Sequence, residues 1–269
     1  MPSLARVHYL EALPPPASSG VRARGALVLL HAFPLNARMW EPQLALAAHG
    51  WRVIAPHVRG ADGVPDERPV TSIDDYAGDL IDLLDALHLE DAVICGLSMG
   101  GYLAFALLRH APNYVRALVL ADTRPQADTP EGLAGRRKML ELVRAKGPDA
   151  VADEMIPKLL GETSRATRPT IVERVRTLTK ANTQDSIAGA IQALMSRPDS
   201  TPLLATIRVP TLILVGEEDT VTPPALSEEM HAKIAGSELV RIPQSGHLSS
   251  LERADAFIAA LTSFLEHRV

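Results

Sequence analysis

Two hydrophobic periods alternate along the chain. Ala26–Leu30 (ALVLL), Ala92–Cys95 (AVIC), Ala117–Ala121 (ALVLA) and Thr211–Val215 (TLILV) are short runs, apolar almost throughout. Runs of that length with no polar alternation predict strands covered on both faces, as in a parallel sheet. Trp51–Ala55, Glu238–Ile242 and Val7–Leu10 read as further strands, the last ended by Pro14-Pro15-Pro16. Between the strands the period lengthens. Ile73, Tyr76, Ala77, Leu80, Leu83, Leu84 and Leu87 recur at helical spacing, behind Ser72 as N-cap with Asp75 three residues on. Ala37–His49, closed by Gly50, and the stretch from Tyr102 to His110 read as helices as well. Strands alternating with helices predict an α/β fold: a mostly parallel, twisted sheet with helices on both faces.

One segment breaks the alternation. From residue 124 to 200 no buried strand is evident, and helical patterns fill the interval at Ala134–Lys146, Val151–Leu160 and Ile171–Lys180. The expected organisation is a core of residues 1–123 and 201–269, with 124–200 as a helical cap inserted over the strand ends.

The period changes abruptly at GLSMGG, residues 96–101. An apolar strand runs into Ser98 and a helix leaves it. A serine at such a corner is either a turn residue or a nucleophile held out from the sheet, with Gly96 and Gly100 giving it room. A nucleophilic serine needs a base, and the base needs an orienting acid. The chain supplies both beyond later strands. Glu217, Glu218 and Asp219 form an acidic cluster after Thr211–Val215, and His247 follows Glu238–Ile242. These are the places where α/β sheets gather functional groups, outside the carboxyl ends of strands. An oxyanion formed at Ser98 needs N–H donors. Met99 at the helix start is one, and Phe33 in the loop after Ala26–Leu30 is the candidate for the second.

Composition narrows the alternatives. The chain has 269 residues, 46% of them hydrophobic, and a net charge of -5 from 27 basic and 32 acidic side chains. With no basic stripe, nucleic acid is not an expected partner. No apolar stretch reaches spanning length and the start carries no signal-like segment, so a cytoplasmic enzyme without membrane association is expected. Cys95 is the single cysteine, which rules out an internal disulfide. It lies on a buried strand and reads as a small core residue. The nine histidines show no HExxH-type pairing, so neither metal nor other cofactor is implied.

On LLHAFPLNARMW (29–40), IAPHVRG (54–60), CGLSMGG, LVLADTRP (118–125), LVGEEDTVTPP (214–224) and PQSGH (243–247), the chain resembles the α/β-hydrolase superfamily over its full length. The similarity is to its small carboxylesterases and 3-oxoadipate enol-lactonases. It implies Ser98 as nucleophile, His247 as general base, Asp219 as its partner, and the Phe33 and Met99 amides as oxyanion hole. It implies no cofactor, water as co-substrate, and a Phe33-Pro34 cis peptide. The expected activity is hydrolysis of small to medium, mostly apolar carboxylic esters through an acyl-enzyme, by a monomer or small homo-oligomer. The same triad serves a lactonase, and a non-catalytic ligand receptor on this fold is the alternative from another class. Arg124, Met139, Leu142, Met155 and Leu159 are the candidate pocket residues, Arg124 being the better placed to attract a substrate carboxylate. Arg136-Arg137-Lys138 reads most simply as a solvated helix face. Two positions depart from the family pattern. Ala32 stands where the loop ordinarily has glycine, and its methyl restricts the backbone. His57 stands where an Asp precedes the x-R-G turn, and reads as structural.

Overall fold

The computed structural model describes residues 7–64, 68 and 70–269. Residues 1–6, on which part of the expectation of no leader segment rests, lie outside that range. Seven strands form one sheet: β1 (Tyr9–Ala12), β2 (Gly25–Leu30), β3 (Trp51–Pro56), β4 (Ala92–Leu97), β5 (Val115–Ala121), β6 (Thr211–Gly216) and β7 (Glu238–Ile242). The spatial order is β1-β3-β2-β4-β5-β6-β7. Only β1 runs antiparallel, with Tyr9 opposite Pro56 and Ala12 opposite Val53. The first strand thus sits two residues later than Val7–Leu10. Its edge position and half-buried side chains leave little apolar signal to fix its start.

The continuous apolar runs behave as their pattern predicts. Along β2, Ala26, Val28 and Leu30 join one apolar cluster while Leu27 and Leu29 join the other. Ile94 and Ile213 repeat this split against Val93, Cys95, Leu212 and Leu214. Side chains of successive residues point to opposite faces, so a strand buried on both sides must be apolar at every position.

One face is covered by α1 (Ile73–Ala86) and α2 (Met99–His110). Helix α1 opens with a capping box: Asp75 N donates to Ser72 Oγ at 3.3 Å, and Ser72 N donates to Asp75 Oδ2 at 2.8 Å. Ala37–His49 is helical, but as a 3₁₀ stretch with Pro42 inside it. Proline removes an N–H donor and clashes with the preceding turn, which disfavours a regular α-helix there. Gly50 ends it at φ 94°, packed against the Arg22 carbonyl where a side chain would collide.

Between β5 and β6 the described chain forms only helices: α3 (Pro130–Leu159), α4 (Glu162–Thr167), α5 (Pro169–Lys180), α6 (Gln184–Ser196) and α7 (Thr201–Leu204). Helix α3 is broken at Gly147, which adopts φ 74° and ψ -171° just before Pro148. Its two halves match the separate patterns at Ala134–Lys146 and Val151–Leu160. The chain closes with α8 (Pro224–Lys233), α9 (Ser249–Glu252) and α10 (Ala254–His267), the last packing Phe257, Leu261, Phe264 and Leu265 into the second face. No helix among the described residues is long and apolar enough to cross a membrane.

Strand order reverses between β2 and β4, which are hydrogen-bonded neighbours although β3 lies between them in sequence. Their carboxyl ends carry Phe33 and Ser98. This is the topological switch point where open α/β sheets bind ligands.

Candidate active site

Ser98 caps β4 at φ 55° and ψ -112°, a conformation that costs energy for any residue with a Cβ. Hydrogen bonds at its backbone hold it there. Its N–H donates to the Ala121 carbonyl at 2.9 Å, and its own carbonyl accepts from Gly101 N and Thr123 Oγ1, each at 2.9 Å. The neighbouring glycines are sterically required. A methyl on Gly96 would strike the Gly100 carbonyl, and one on Gly100 would strike that of Leu30.

His247 and Asp219 come to this corner from the loops after β7 and β6. His247 Nε2 lies 2.7 Å from Ser98 Oγ, and His247 Nδ1 lies 2.8 Å from Asp219 Oδ2. All three side chains are buried, at 8%, 1% and 3% exposure for Ser98, His247 and Asp219. Asp219 has its remaining acceptor sites filled. Its Oδ1 accepts from Val221 N at 2.8 Å and Thr222 N at 2.9 Å, and its Oδ2 accepts from Thr222 Oγ1 at 2.7 Å. Glu217 and Glu218 do not take part. Glu218 instead accepts from Thr163 N, tying the acid loop to α4. His247 N donates to the Leu159 carbonyl at 3.0 Å, so the end of α3 also fixes the histidine loop.

The sequence reading missed Asp122, which follows β5 with φ 43° and no solvent exposure. It accepts from Gly216 N at 2.8 Å and from Ser249 Oγ at 2.5 Å. Burial, reinforced by the charge of Asp219, pushes its carboxyl well above the usual range. Burial acts in the same direction on Asp219, but the His247 ring and the hydrogen bonds from His247 and Thr222 outweigh it and hold that carboxyl low. Burial thus disfavours a charge on Asp122, while its partners favour the charge on Asp219. A carboxyl whose pKa is raised on folding contributes stability that is complete below its unfolded pKa and is lost as pH rises through the folded value. Over that interval it removes up to about 1.4 kcal/mol per pH unit. In Asp122→Asn, Oδ1 still accepts from Gly216 N and Nδ2 can donate to Ser249 Oγ, while the acceptor that Oδ2 gives Ser249 N at 3.3 Å is lost. The variant is expected to lose less stability across this interval than the wild type. Urea unfolding at a series of pH values reads the two slopes, and equal slopes would disprove the upward shift.

The loop after β2 is held from below by His31. Its Nε2 accepts from Val58 N at 3.1 Å and its Nδ1 faces the Ala32 carbonyl at 3.1 Å. Burial keeps this ring neutral, with its pKa lowered to about 3. Ala32 is not among the residues with positive φ, so the methyl that replaces the usual glycine hydrogen sits without backbone strain. It is fully buried, and its N–H points at Met39 Sδ, 3.2 Å away. The Phe33-Pro34 peptide is cis. His57 is a packed loop residue: its Nδ1 accepts from Ala37 N at 3.4 Å, and burial lowers its pKa.

Phe33, Ser98, Thr222 and His247 line one small cavity of about 40 Å³. Arg124, Met155 and Leu159 line it too, together with Tyr102, Leu194 and Val221. Met139 and Leu142 do not. Met139 packs against the apolar cluster beneath α1 and α2, and Leu142 is half-buried one turn further along α3. Arg136 reaches the cavity instead, while Arg137 and Lys138 are exposed. The basic triplet is thus only partly a solvated face.

Comparison with known proteins agrees with this geometry. A family model described as the alpha/beta hydrolase fold matches residues 25–254. A 3-oxoadipate enol-lactonase from Acinetobacter baylyi is 27% identical over 250 residues, covering 93% of this chain and 92% of its own. A pimeloyl-[acyl-carrier protein] methyl ester esterase from Neisseria meningitidis is 31% identical over 259 residues, covering 88% and 92%. Among solved structures, a thermophilic esterase from Thermogutta terrifontis superposes with a TM-score of 0.89 at 35% identity, covering 97% of this chain and 93% of that one. The enol-lactonase from Burkholderia xenovorans gives 0.86 at 27% identity, covering 97% and 96%. The strained serine at the strand-to-helix corner, the order of serine, acid and histidine along the chain, and the match over most of its length all agree: this protein belongs to the alpha/beta hydrolase fold family, among hydrolases with esterase and enol-lactonase relatives.

Proposed function

We propose that this chain is a serine hydrolase that cleaves small to medium carboxylic esters through an acyl-enzyme. The observation that carries the reading is the continuous hydrogen-bonded chain from Asp219 through His247 to Ser98 Oγ, at 2.8 and 2.7 Å. Ser98 Oγ attacks the ester carbonyl carbon as His247 Nε2 takes its proton. The N–H groups of Phe33 and Met99 stabilise the resulting oxyanion. Collapse breaks the bond to the alcohol, which leaves with the proton from His247. Water then attacks the acyl carbon, gives a proton to His247, and the acid departs as Ser98 Oγ is reprotonated. Asp219 holds the imidazole with Nδ1–H directed at itself, leaving Nε2 as the base. The helices of 124–200 act as the cap that walls the substrate, through Met155, Leu159 and Leu194.

The relatives at 27% identity named as enol-lactonases favour lactone hydrolysis as a second reading with the same groups. Initial rates on 4-nitrophenyl esters from acetyl to dodecanoyl, measured beside 3-oxoadipate enol-lactone, separate the two. A maximum on short or medium esters supports the esterase, and turnover of the lactone alone the lactonase. Trapping with a 4-nitrophenyl alkylphosphonate should place one covalent adduct on the peptide that contains Ser98. Absence of both turnover and adduct would reject the hydrolase reading in favour of a ligand receptor.

A further inference from the structure

The histidine loop and the cap meet at a buried carboxyl outside the hydrogen-bonded chain of Asp219, His247 and Ser98. Glu252 ends α9 and is 4% exposed. Its Oε1 accepts from the residues on either side of the histidine, Gly246 N at 2.8 Å and Leu248 N at 3.3 Å. Its Oε2 accepts from Gly161 N at 2.9 Å, in the turn between α3 and α4. Backbone donors thus reach both oxygens. A carboxyl group can serve them all, and a carboxamide, with its single acceptor, cannot. Arg168, just past α4, donates from Nη1 to the Glu252 carbonyl at 2.6 Å and holds the end of α9 to the same part of the cap.

The contact is backbone against backbone. A methyl on Gly161 would fall 2.8 Å from Gly246 N, and one on Gly246 would fall 2.4 Å from Gly161 N. His247 N donates to the Leu159 carbonyl at 3.0 Å. The N–H groups of Gly246, His247 and Leu248 therefore all end on Glu252 or on the cap. Buried N–H groups are costly to leave unpaired, so removing the carboxyl drives the loop to rearrange towards other acceptors. The imidazole rides on that loop, and its Nε2 must meet Ser98 Oγ at hydrogen-bond distance.

We propose that Glu252 is a positioning residue of the hydrolytic reaction, holding the histidine loop with one oxygen and the cap turn with the other. The general base and the wall that encloses substrate are then placed by one side chain. This deepens the serine hydrolase reading and rests on it. Glu252 acts through the backbone of the loop and not on the reacting atoms.

Glu252→Ala is expected to lower kcat for a 4-nitrophenyl ester by about 10- to 100-fold, the scale of a misplaced catalytic group, with KM changed by less than about threefold. Glu252→Gln keeps one acceptor. Turned to Gly246 and Leu248, it satisfies two donors and sets its NH₂ group against Gly161 N. It should therefore bring kcat back to within about tenfold of wild type, the worth of one hydrogen bond, while the Gly161 amide exchanges its proton faster. Leu261→Val, a core change in α10, should lower the melting temperature and leave kcat close to wild type. The low-field proton resonance of His247 Nδ1–H, identified by its loss in His247→Ala, reads the placement of the ring apart from turnover. It should shift or broaden in Glu252→Ala and stay in place in Leu261→Val. An unmoved resonance in a folded Glu252→Ala overturns the proposal, and so does a kcat within about threefold of wild type. If Glu252→Ala does not fold, Glu252→Gln decides, and wild-type kcat with unchanged exchange at Gly161 overturns the proposal. A wild type that cleaves no ester would sink the hydrolase reading, whereas the resonance would still show whether Glu252 places His247.

Discussion

Ser98→Ala should lower kcat for any ester the wild type cleaves by about 10⁴- to 10⁶-fold, equivalent to about 5 to 8 kcal/mol of transition-state stabilisation. The expectation comes from the burial and sharing of the site. Ser98 Oγ is the atom that His247 Nε2 meets at 2.7 Å. A water taking its place would have to fit a corner that is 8% exposed. KM should change far less than kcat, because the cavity walls remain. His247→Ala should fall in the same range, and the double variant should lose little more than either single one, since the two groups act as a unit. Single-turnover rates on a 4-nitrophenyl ester measure this. Turnover of Ser98→Ala within tenfold of wild type would remove Ser98 from the reaction and with it the acyl-enzyme.

The sheet was legible in the sequence because its central strands are buried on both sides. Leu27 through Leu30 and Leu212 through Val215 must be apolar at every position, and no helix on the surface needs that. The edge strand β1 was displaced by two residues because only part of it is covered. The α-helical character expected for Ala37–His49 failed at Pro42, where spacing says helix and the missing N–H says otherwise. Helix α10 buries Phe257 and Leu261 completely, at a spacing that is helical in the sequence as well.

For the candidate site, the residues that sequence picks out and the fold brings together are those tied to a strand end: Ser98 at a change of period, the acid after β6, the histidine after β7. Those missed depend on the helices between β5 and β6, where no regular register tells which side chain points inward. Arg136 looked like the flanking Arg137 and Lys138, and only the fold brings it to Asp128, eight positions earlier, and to Arg197. Met139 and Leu142 were expected in the pocket on hydrophobicity alone, a property that core packing and substrate walls share. Asp122 directly follows an apolar strand and Asp219 stands three residues past another, and sequence offers nothing to separate a carboxyl whose charge burial disfavours from one whose charge its partners favour. The difference lies in their partners: the Ser249 hydroxyl and two backbone amides for one, a histidine for the other.

Asp219→Asn should cost about 10³- to 10⁴-fold in kcat while leaving the fold in place, and the reason is specific to how this carboxylate is held. Asp219 Oδ1 accepts two backbone N–H groups, from Val221 and Thr222, and Oδ2 faces His247 Nδ1 and the Thr222 hydroxyl. In asparagine only one of the two positions keeps an acceptor. The two backbone amides, which cannot rotate away, claim it. The NH₂ group is then left against His247 Nδ1 and donates to it. That bond selects the tautomer with the proton on Nε2, which points a donor at Ser98 Oγ where a base is required. Asp219→Glu keeps the charge but lengthens the arm, and should lose less activity than Asn if charge and tautomer matter more than position. Rates for both variants, with melting temperatures to confirm folding, decide the assignment. Retention of more than a tenth of wild-type kcat in a folded Asp219→Asn would mean that another carboxylate orients His247. Asp122, buried close enough to feel the charge of Asp219, would be the first to examine, and Asp122→Asn in that background should then abolish what remained.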